Sequence, residues 1–509
     1  MPHVHRGLNK QEKAQGEDNY TMMQGFEWYE PAGGKYYKTM KERAESLGSM
    51  GITAVWLPHD RWDLGEFDQK GGVATKYGTK EELLDLIQTL KANGVVSYVD
   101  CVLNHQAGAD YTETFKATEV AEENRNQEVS EMYDIDGWTG FNFPGRKGKY
   151  SEMVWNFNHF DGLFILGEVP TKADMASIRQ TGVDWDDKNK KKAIFKIHGE
   201  GKTWAKAVDK EKGSFDYLMF ADIDHSHPEA RDDCINWGEW VLKETGADGF
   251  RFDAIKHIDE SFIADFVQQV RERVGNTSGP SDADLVPSCS CVGEFWKDSI
   301  DALGGYLDRM PTQFSIFDTP LHYNFKAASD QAENYDIRKI FDDALVQSRP
   351  MDAVTLVENH DTQHSSLPSE RGSSLSPTPS SCYAPMATRD LYGCNSDPKV
   401  EPMNQLGDFV RARKLFAYGP LREYNDHANT WGWVREGDEG HDGCAVEGEK
   451  RMQLPDGHAG EVWTDVLGWQ QGEVTIEEDG WATFKCPTKS AAIWTRSDAR
   501  GREEFGKNE

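Results

Sequence analysis

The chain has 509 residues, 38% hydrophobic and 11% aromatic, which is enough for a sizeable core and too long for a single one, since one core rarely outgrows about 250–300 residues. Lys and Arg number 56 against 87 Asp and Glu, and the resulting net charge of −31 repels phosphate backbones and anionic lipid, so no nucleic acid or membrane partner is expected. Eight cysteines spread over the chain exclude a disulfide scaffold, no run approaches the ~18 apolar residues of a membrane span, and the polar opening MPHVHRGLNKQEKAQGEDNY lacks the apolar stretch of a secretory signal, so a cytoplasmic monomer is expected.

Short apolar runs alternate with helical patterns. TMMQGFEWY (21–29) is a first strand, followed by a helix from about Lys38 to Met50. GITAVWLP (51–58) is a second strand. EELLDLIQTLKANG (81–94) has apolar residues at helical spacing and a Gly stop. VVSYVDCVLNH (95–105) is a third strand. Strand, helix, strand at this spacing predicts βαβ units and a parallel sheet.

From His105 to about Ser214 the chain turns polar, rich in Gly, Asn, Asp and Lys, which predicts an inserted subdomain. The alternation resumes with a helix around INWGEWVLKETG (235–246), then GFRFDAI (249–255), the helix ESFIADFVQQVRERVG (260–275), VGEFW (292–296), FSIFDTPL (314–321) and AVTLVENHD (353–361). With an eighth strand this is an α/β fold, a (β/α)8 TIM barrel. From about Phe416 the runs become short and alternating, as in EVWTDVLG and SAAIWTR, which predicts a C-terminal all-β sandwich. The expected division is a tail at 1–18, the barrel at 19–104 and 214–415, the subdomain at 105–213, the sandwich at 416–498 and a second tail at 499–509.

In such barrels the active site lies at the C-terminal ends of the strands. The third strand ends in Asp100, Asn104 and His105. The fourth carries Arg251 and Asp253, then Lys256 and His257. The fifth ends in Glu294, and the seventh in Glu358, Asn359, His360 and Asp361. Any one of these alone reads as a satisfied polar residue at a strand end. Acids, His and Arg converging from four strands read as chemistry. Retaining glycoside hydrolysis needs two carboxyls about 5–5.5 Å apart, one attacking the sugar carbon and one moving the proton. Arg251, two residues before Asp253 on one strand, points to the same face and can keep it ionised.

The segments Asp100–His105 (DCVLNH), Gly249–His257 (GFRFDAIKH), Gly293–Trp296 (GEFW) and Val357–Asp361 (VENHD) resemble the four signature regions of the α-amylase family, in order and spacing. The chain is most similar to the liquefying-type α-amylases of bacteria and their intracellular fungal relatives, through MMQGFEWY (22–29), DLGEFDQKG (63–71), TKYGTKEEL (75–83), FNFPGR (141–146), DYLMFADID (216–224) and IFDTPLHYNFKAAS (316–329). The similarity spans roughly residues 19–363 and 404–496. It implies endo-hydrolysis of internal α-1,4-glucosidic bonds in a starch- or glycogen-type α-glucan. Asp253 would be the nucleophile, Glu294 the acid/base and Asp361 the transition-state stabiliser. His105, Arg251 and His360 would hold the sugar at the cleavage point, and Lys256 and His257 the leaving-group side. The resemblance also implies a structural calcium held by Asn104, Asp222 and the carbonyls of Asp216 and His257, for which hard oxygen ligands are suited. Asp184 and Asp224 match a further metal site, but Asn142 stands where an Asp often occurs.

Four stretches depart from the family. After VWLPHD a longer loop with a sugar-stacking aromatic is missing, and Trp62 would replace part of it. LFILGEVPTKADMASIRQTG (163–182) intervenes after HFDG (159–162), and TSGPSDADLVPSCSC (277–291) precedes VGEFW. The Ser- and Pro-rich stretch 364–389 stands where an apolar helix and the eighth strand are expected, a composition that would damage that strand. The alternative readings are a catalytically weak or dead glucan-binding relative and a glucan transglycosylase.

Overall fold

The computed structural model describes residues 19–26, 33–58, 75–166, 192–275, 289–311, 314–357, 359–362, 386–387, 405–447, 449–487 and 490–506. Eight short strands form one parallel sheet: β1 (Met22–Gln24), β2 (Ala54–Trp56), β3 (Val96–Cys101), β4 (Gly249–Phe252), β5 (Ser290–Gly293), β6 (Phe314–Phe317), β7 (Ala353–Val354) and β8 (Met386–Ala387). Sequential strands are neighbours from β1 to β7, and β8 returns to the free side of β1. That order is the one a (β/α)8 barrel requires. All three residues of β2 and all four of β4 are buried, as expected where helices cover a parallel sheet.

The helices follow from side-chain spacing and end signals. The helix α1 (Tyr36–Met50) begins two residues before the expected Lys38, because Tyr36 and Tyr37 are themselves buried with Met40, Ala44 and Leu47. Gly51, at φ +116°, ends it in the left-handed region that favours glycine. The helix α2 (Lys80–Ala92) starts on a reciprocal cap, Thr79 accepting from the Glu82 N–H and Glu82 from the Thr79 N–H, an arrangement worth about 1 kcal/mol. Then come α3 (Pro228–Thr245), α4 (Glu260–Gly275), α5 (Ile300–Leu307) and α6 (Thr319–Gln331). Phe250, Phe252, Phe262, Phe266 and Val270 pack α4 onto β4 with almost no exposure.

The eighth strand expected of the barrel is present in shortened form. Within the Ser- and Pro-rich stretch, Met386 and Ala387 pair in parallel with Met23 and Gln24. Two residues suffice because a ladder needs only backbone donors and acceptors.

Between β3 and α3 the chain builds a mainly antiparallel sheet around Tyr111–Ala121, Tyr133–Gly140, Phe160–Leu166 and Lys192–Ile197. His105–Gln106 pairs with Ala221–Asp222, and Asp222 pairs on with Gly162. This ladder ties the exit from β3 to the return toward the barrel. After α7 (Leu406–Phe416) the chain is all-β. A six-stranded antiparallel sheet and a two-stranded one close on Trp463, Trp494, Phe484, Met452 and Val434. No helix among the described residues is long and apolar enough to cross a membrane.

Candidate active site

Asp100 on β3 and Arg251 on β4 are register partners, and so are Arg251 and Val292 on β5. Partners on adjacent strands share a face, so Arg251 reaches both ways along the rim. Its Nη1 donates to Asp100 Oδ1 at 2.7 Å and to Asp253 Oδ1 at 2.8 Å, while Nη2 donates to Glu294 Oε2. The guanidinium is fully buried and lies 4.2 Å from the Trp56 ring centroid. Three carboxylates from three strands thus converge on one cation, the group whose planar fork suits several carboxylates at once.

Burial works to raise Asp253, but the Arg251 charge outweighs it and holds the carboxyl below its usual range. Asp361 moves the other way. Desolvation by the surrounding protein pushes it up to about 6, opposed by Arg251 and helped by the charges of Asp253 and Asp100, although 49% of its side-chain surface stays open. Its backbone is set by Asn359, whose buried Oδ1 accepts from the N–H groups of Asp361 and Thr362 at 3.0 and 3.2 Å. His360 sits beside it, with Nε2 3.5 Å from Asp361 Oδ2. Burial and then the Arg251 charge hold this ring down to about 3, so it is neutral at ordinary pH.

The leaving-group residues are placed by a turn. Ala254, at φ +50°, breaks the strand direction and opens the short helix Ile255–His257. Lys256 Nζ donates to the Trp296 carbonyl at 3.0 Å and lies 3.6 Å from Glu211. The His257 ring faces inward, its Nδ1 2.6 Å from the Phe215 carbonyl, and burial pulls it down to about 3. His105 is half-buried, with Nδ1 3.2 Å from Asn104 Oδ1. Trp62 and Asp184 lie outside the described residues, as does Glu358.

The expected calcium residues also meet. The Asn104 side-chain nitrogen faces three oxygens: Asp222 Oδ1 at 3.1 Å and the carbonyls of Asp216 and His257, each at 3.3 Å. Turned over, the same amide would present its own oxygen to these three, an arrangement that only a cation among them stabilises. Asp161, Asp216 and Asp222 offer carboxylate oxygens within 4.8 Å of one another, all buried. Asp161 Oδ1 and Asp222 Oδ2 are buried without a hydrogen-bond partner. Burial, then mutual repulsion, pushes Asp161 and Asp222 well above the carboxylate range, and burial pushes Asp216 up to about 7. Orphaned buried oxygens in a crowded acidic cluster fit a hard divalent cation. Asp161 was not among the expected ligands. Its local sequence, HFDG (159–162), carries no ligand signal.

Asp224 turns elsewhere. Its Oδ1 accepts from the Ser226 N–H and hydroxyl, and its Oδ2 is 3.6 Å from the Lys202 ammonium. The group His159, His227 and Glu229 is also close, but His159 Nδ1 accepts the Asn156 N–H. That leaves the proton of a neutral ring on Nε2, facing Glu229, which is a hydrogen bond and not a metal-ligand arrangement.

Comparison with known proteins shows the family and the fold. Residues 37–371 match the family described as alpha amylase, catalytic domain. A glucan 1,4-alpha-maltohexaosidase of Bacillus sp. (strain 707) is 39% identical over 94% of this chain and 92% of its own length. An alpha-amylase of Bacillus licheniformis is 37% identical, with 94% of each chain covered, and a cytoplasmic alpha-amylase of Escherichia coli (strain K12) is 34% identical over 94% of this chain and 98% of its own. The solved alpha-amylase I of Eisenia fetida shares the fold at a TM-score of 0.56 and 13% identity, covering 94% of this chain and 97% of that one.

Proposed function

The chain belongs to the alpha-amylase catalytic-domain family, and from that premise we propose that it hydrolyses internal α-1,4-glucosidic bonds of a starch- or glycogen-type glucan with retention at the anomeric carbon. The observation that carries the reading is the shared guanidinium of Arg251 between Asp253 and Glu294. One cation that bonds two carboxylates at the barrel rim supports a double displacement between them.

Asp253, held ionised, attacks the anomeric carbon and forms a glycosyl ester. Glu294 protonates the departing glycosidic oxygen, then takes a proton from the water that cleaves the ester. Asp361 stabilises the positive charge that develops on the sugar ring between these states, and it does so when ionised. His105, Arg251 and His360 orient the ring, while Lys256 borders the departing chain. Asn104, Asp216, Asp222 and the His257 carbonyl, with Asp161, are the groups that would hold calcium, and the ion supplies charge compensation where the inserted sheet meets the barrel. A cytoplasmic location and a monomer complete the reading, and fractionation and sedimentation test them.

The test uses soluble starch with calcium, scored for reducing ends, with the anomer of the first product read by proton NMR. Release of the α-anomer supports the reading, and first release of the β-anomer or no release from folded protein defeats it. Glu294→Gln removes the acid/base and is expected to lower turnover by roughly 10⁴-fold with the fold retained. A Glu294→Gln protein that cleaves starch normally would remove that assignment.

A further inference from the structure

Gln24 ends β1 and is 2% exposed. Two neighbours of fixed hydrogen-bond character decide how its amide is turned. The Phe26 carbonyl can only accept, and Gln24 Nε2 donates to it at 2.7 Å. The His360 main-chain N–H can only donate, and Gln24 Oε1 accepts it at 3.1 Å. The amide oxygen therefore faces the seventh-strand loop. The same Oε1 lies 3.4 Å from His360 Nδ1. An amide oxygen has no proton to give, so the ring nitrogen facing it must carry one. In a neutral imidazole this leaves Nε2 as an acceptor. The ring is held in that orientation by Phe26 and Trp56, whose centroids lie 5.2 and 5.3 Å away.

We propose that Gln24 is a positioning residue: it fixes His360 in the Nδ1–H form and so presents Nε2 as a hydrogen-bond acceptor to a sugar hydroxyl next to Asp361. The proposal rests on the glucan-hydrolase reading and deepens it. Nε2 and the Asp361 carboxylate are two acceptors 3.5 Å apart, and adjacent hydroxyls of one pyranose ring can donate to both. A ring that donated from Nε2 would compete with the substrate for Asp361. Among the described residues the charged groups facing the ring are Arg251, Asp253 and Asp361. Burial, with the guanidinium beside it, keeps the ring neutral, and Gln24 then decides which neutral form is present.

The experiment is long-range ¹H–¹⁵N spectroscopy of the full chain, loaded with calcium and labelled at histidine, with His360 assigned by its loss in His360→Asn. The expected result is a protonated Nδ1 and a bare Nε2 in the wild type, and a mixture or the reverse in Gln24→Leu. On starch, Gln24→Leu is expected to lose between about tenfold and a hundredfold in kcat with KM nearly unchanged. Gln24→Glu keeps the acceptor and adds a charge facing the ring, so it should retain the Nδ1–H form and move the acid limb of kcat/KM upward. A bare Nδ1 in the wild type overturns the proposal. Wild-type kcat in Gln24→Leu, or an unmoved acid limb in Gln24→Glu, overturns it equally. Should Gln24→Leu not fold, the wild-type spectrum and the Gln24→Glu profile still decide. A wild-type protein inactive on starch but protonated at Nδ1 supports the role of Gln24 and defeats only the hydrolase reading.

Discussion

Two groups of carboxylates in this chain face the same electrostatic problem and meet it differently. At the barrel rim, Asp100, Asp253 and Glu294 all accept from Arg251. At the junction of the inserted sheet with the barrel, Asp161, Asp216 and Asp222 crowd together, and the nearest cations act from the side. Lys202 is 3.6 Å from Asp224, and the Arg125 guanidinium donates to the Tyr217 carbonyl. The results are opposite in sign. Asp253 is half-buried and held below the usual carboxylate range, whereas Asp161 and Asp222 are held well above it. A cation supplied by the sequence keeps Asp253 charged and ready. At the junction the charges of Lys202 and Arg125 do not outweigh burial and the mutual repulsion of the acids.

Removing the built-in cation should have the largest effect. Arg251→Met strands three carboxylates around an apolar side chain, and we expect a destabilisation of about 3–5 kcal/mol together with loss of measurable turnover. Urea unfolding and the reducing-end assay read the two. If the variant is as stable as the wild type, the guanidinium is not what holds the rim together, and the contrast collapses.

The junction should answer in the reverse sense. Because the folded-state values of Asp161, Asp216 and Asp222 lie above their unfolded ones, ionising them as pH rises costs stability, through about 7 for Asp216. Calcium offsets that cost, so the stability difference between calcium-loaded and chelated protein should widen from pH 5 to pH 8. Asp161→Asn removes one of the crowded charges. The chelated protein should gain about 1–2 kcal/mol, while a tenfold weaker calcium affinity would take about 1.4 kcal/mol from the loaded one. Thermal melts with calcium and with chelator test the crossing, and a variant shifted equally under both conditions would sink it.

The smallest expected effect separates the members of the rim. Asp361, partly open and pushed up to about 6, should be the carboxylate whose ionisation shapes the acid side of kcat/KM, because its charge appears only as pH rises through that value. Its folded value also exceeds the ordinary 3.8, so its ionisation slightly lowers stability between about pH 4 and 6. An acid limb well below pH 5 would assign the limb to another group.

Much of this was legible from local pattern. Arg251 and Asp253 lie two apart on a strand, and period-2 alternation alone places them on one face, where they are 2.8 Å apart. The βαβ alternation carried the barrel through β7, because each unit announces itself by a change of period within about thirty residues. The eighth strand is not marked by its own composition, because its two residues pair with the open side of β1. Asp161 was passed over for a related reason. Nothing within HFDG marks the Asp as a ligand until Asp222 pairs with Gly162 across the sheet and brings the carboxylates together.

The sequence by itself determined the fold class, the order of the rim residues and the excess of acid, since these depend on short-range periodicity and composition. The tertiary structure decided which acid is charged. One guanidinium is shared among Asp100, Asp253 and Glu294 because strands far apart in the chain are neighbours in the barrel. Asp161 is denied such a partner by the same closure, and Gln24 meets His360 across 336 positions of sequence. Charge state depends on distance and burial, and in this protein both are set by contacts that no local pattern encodes.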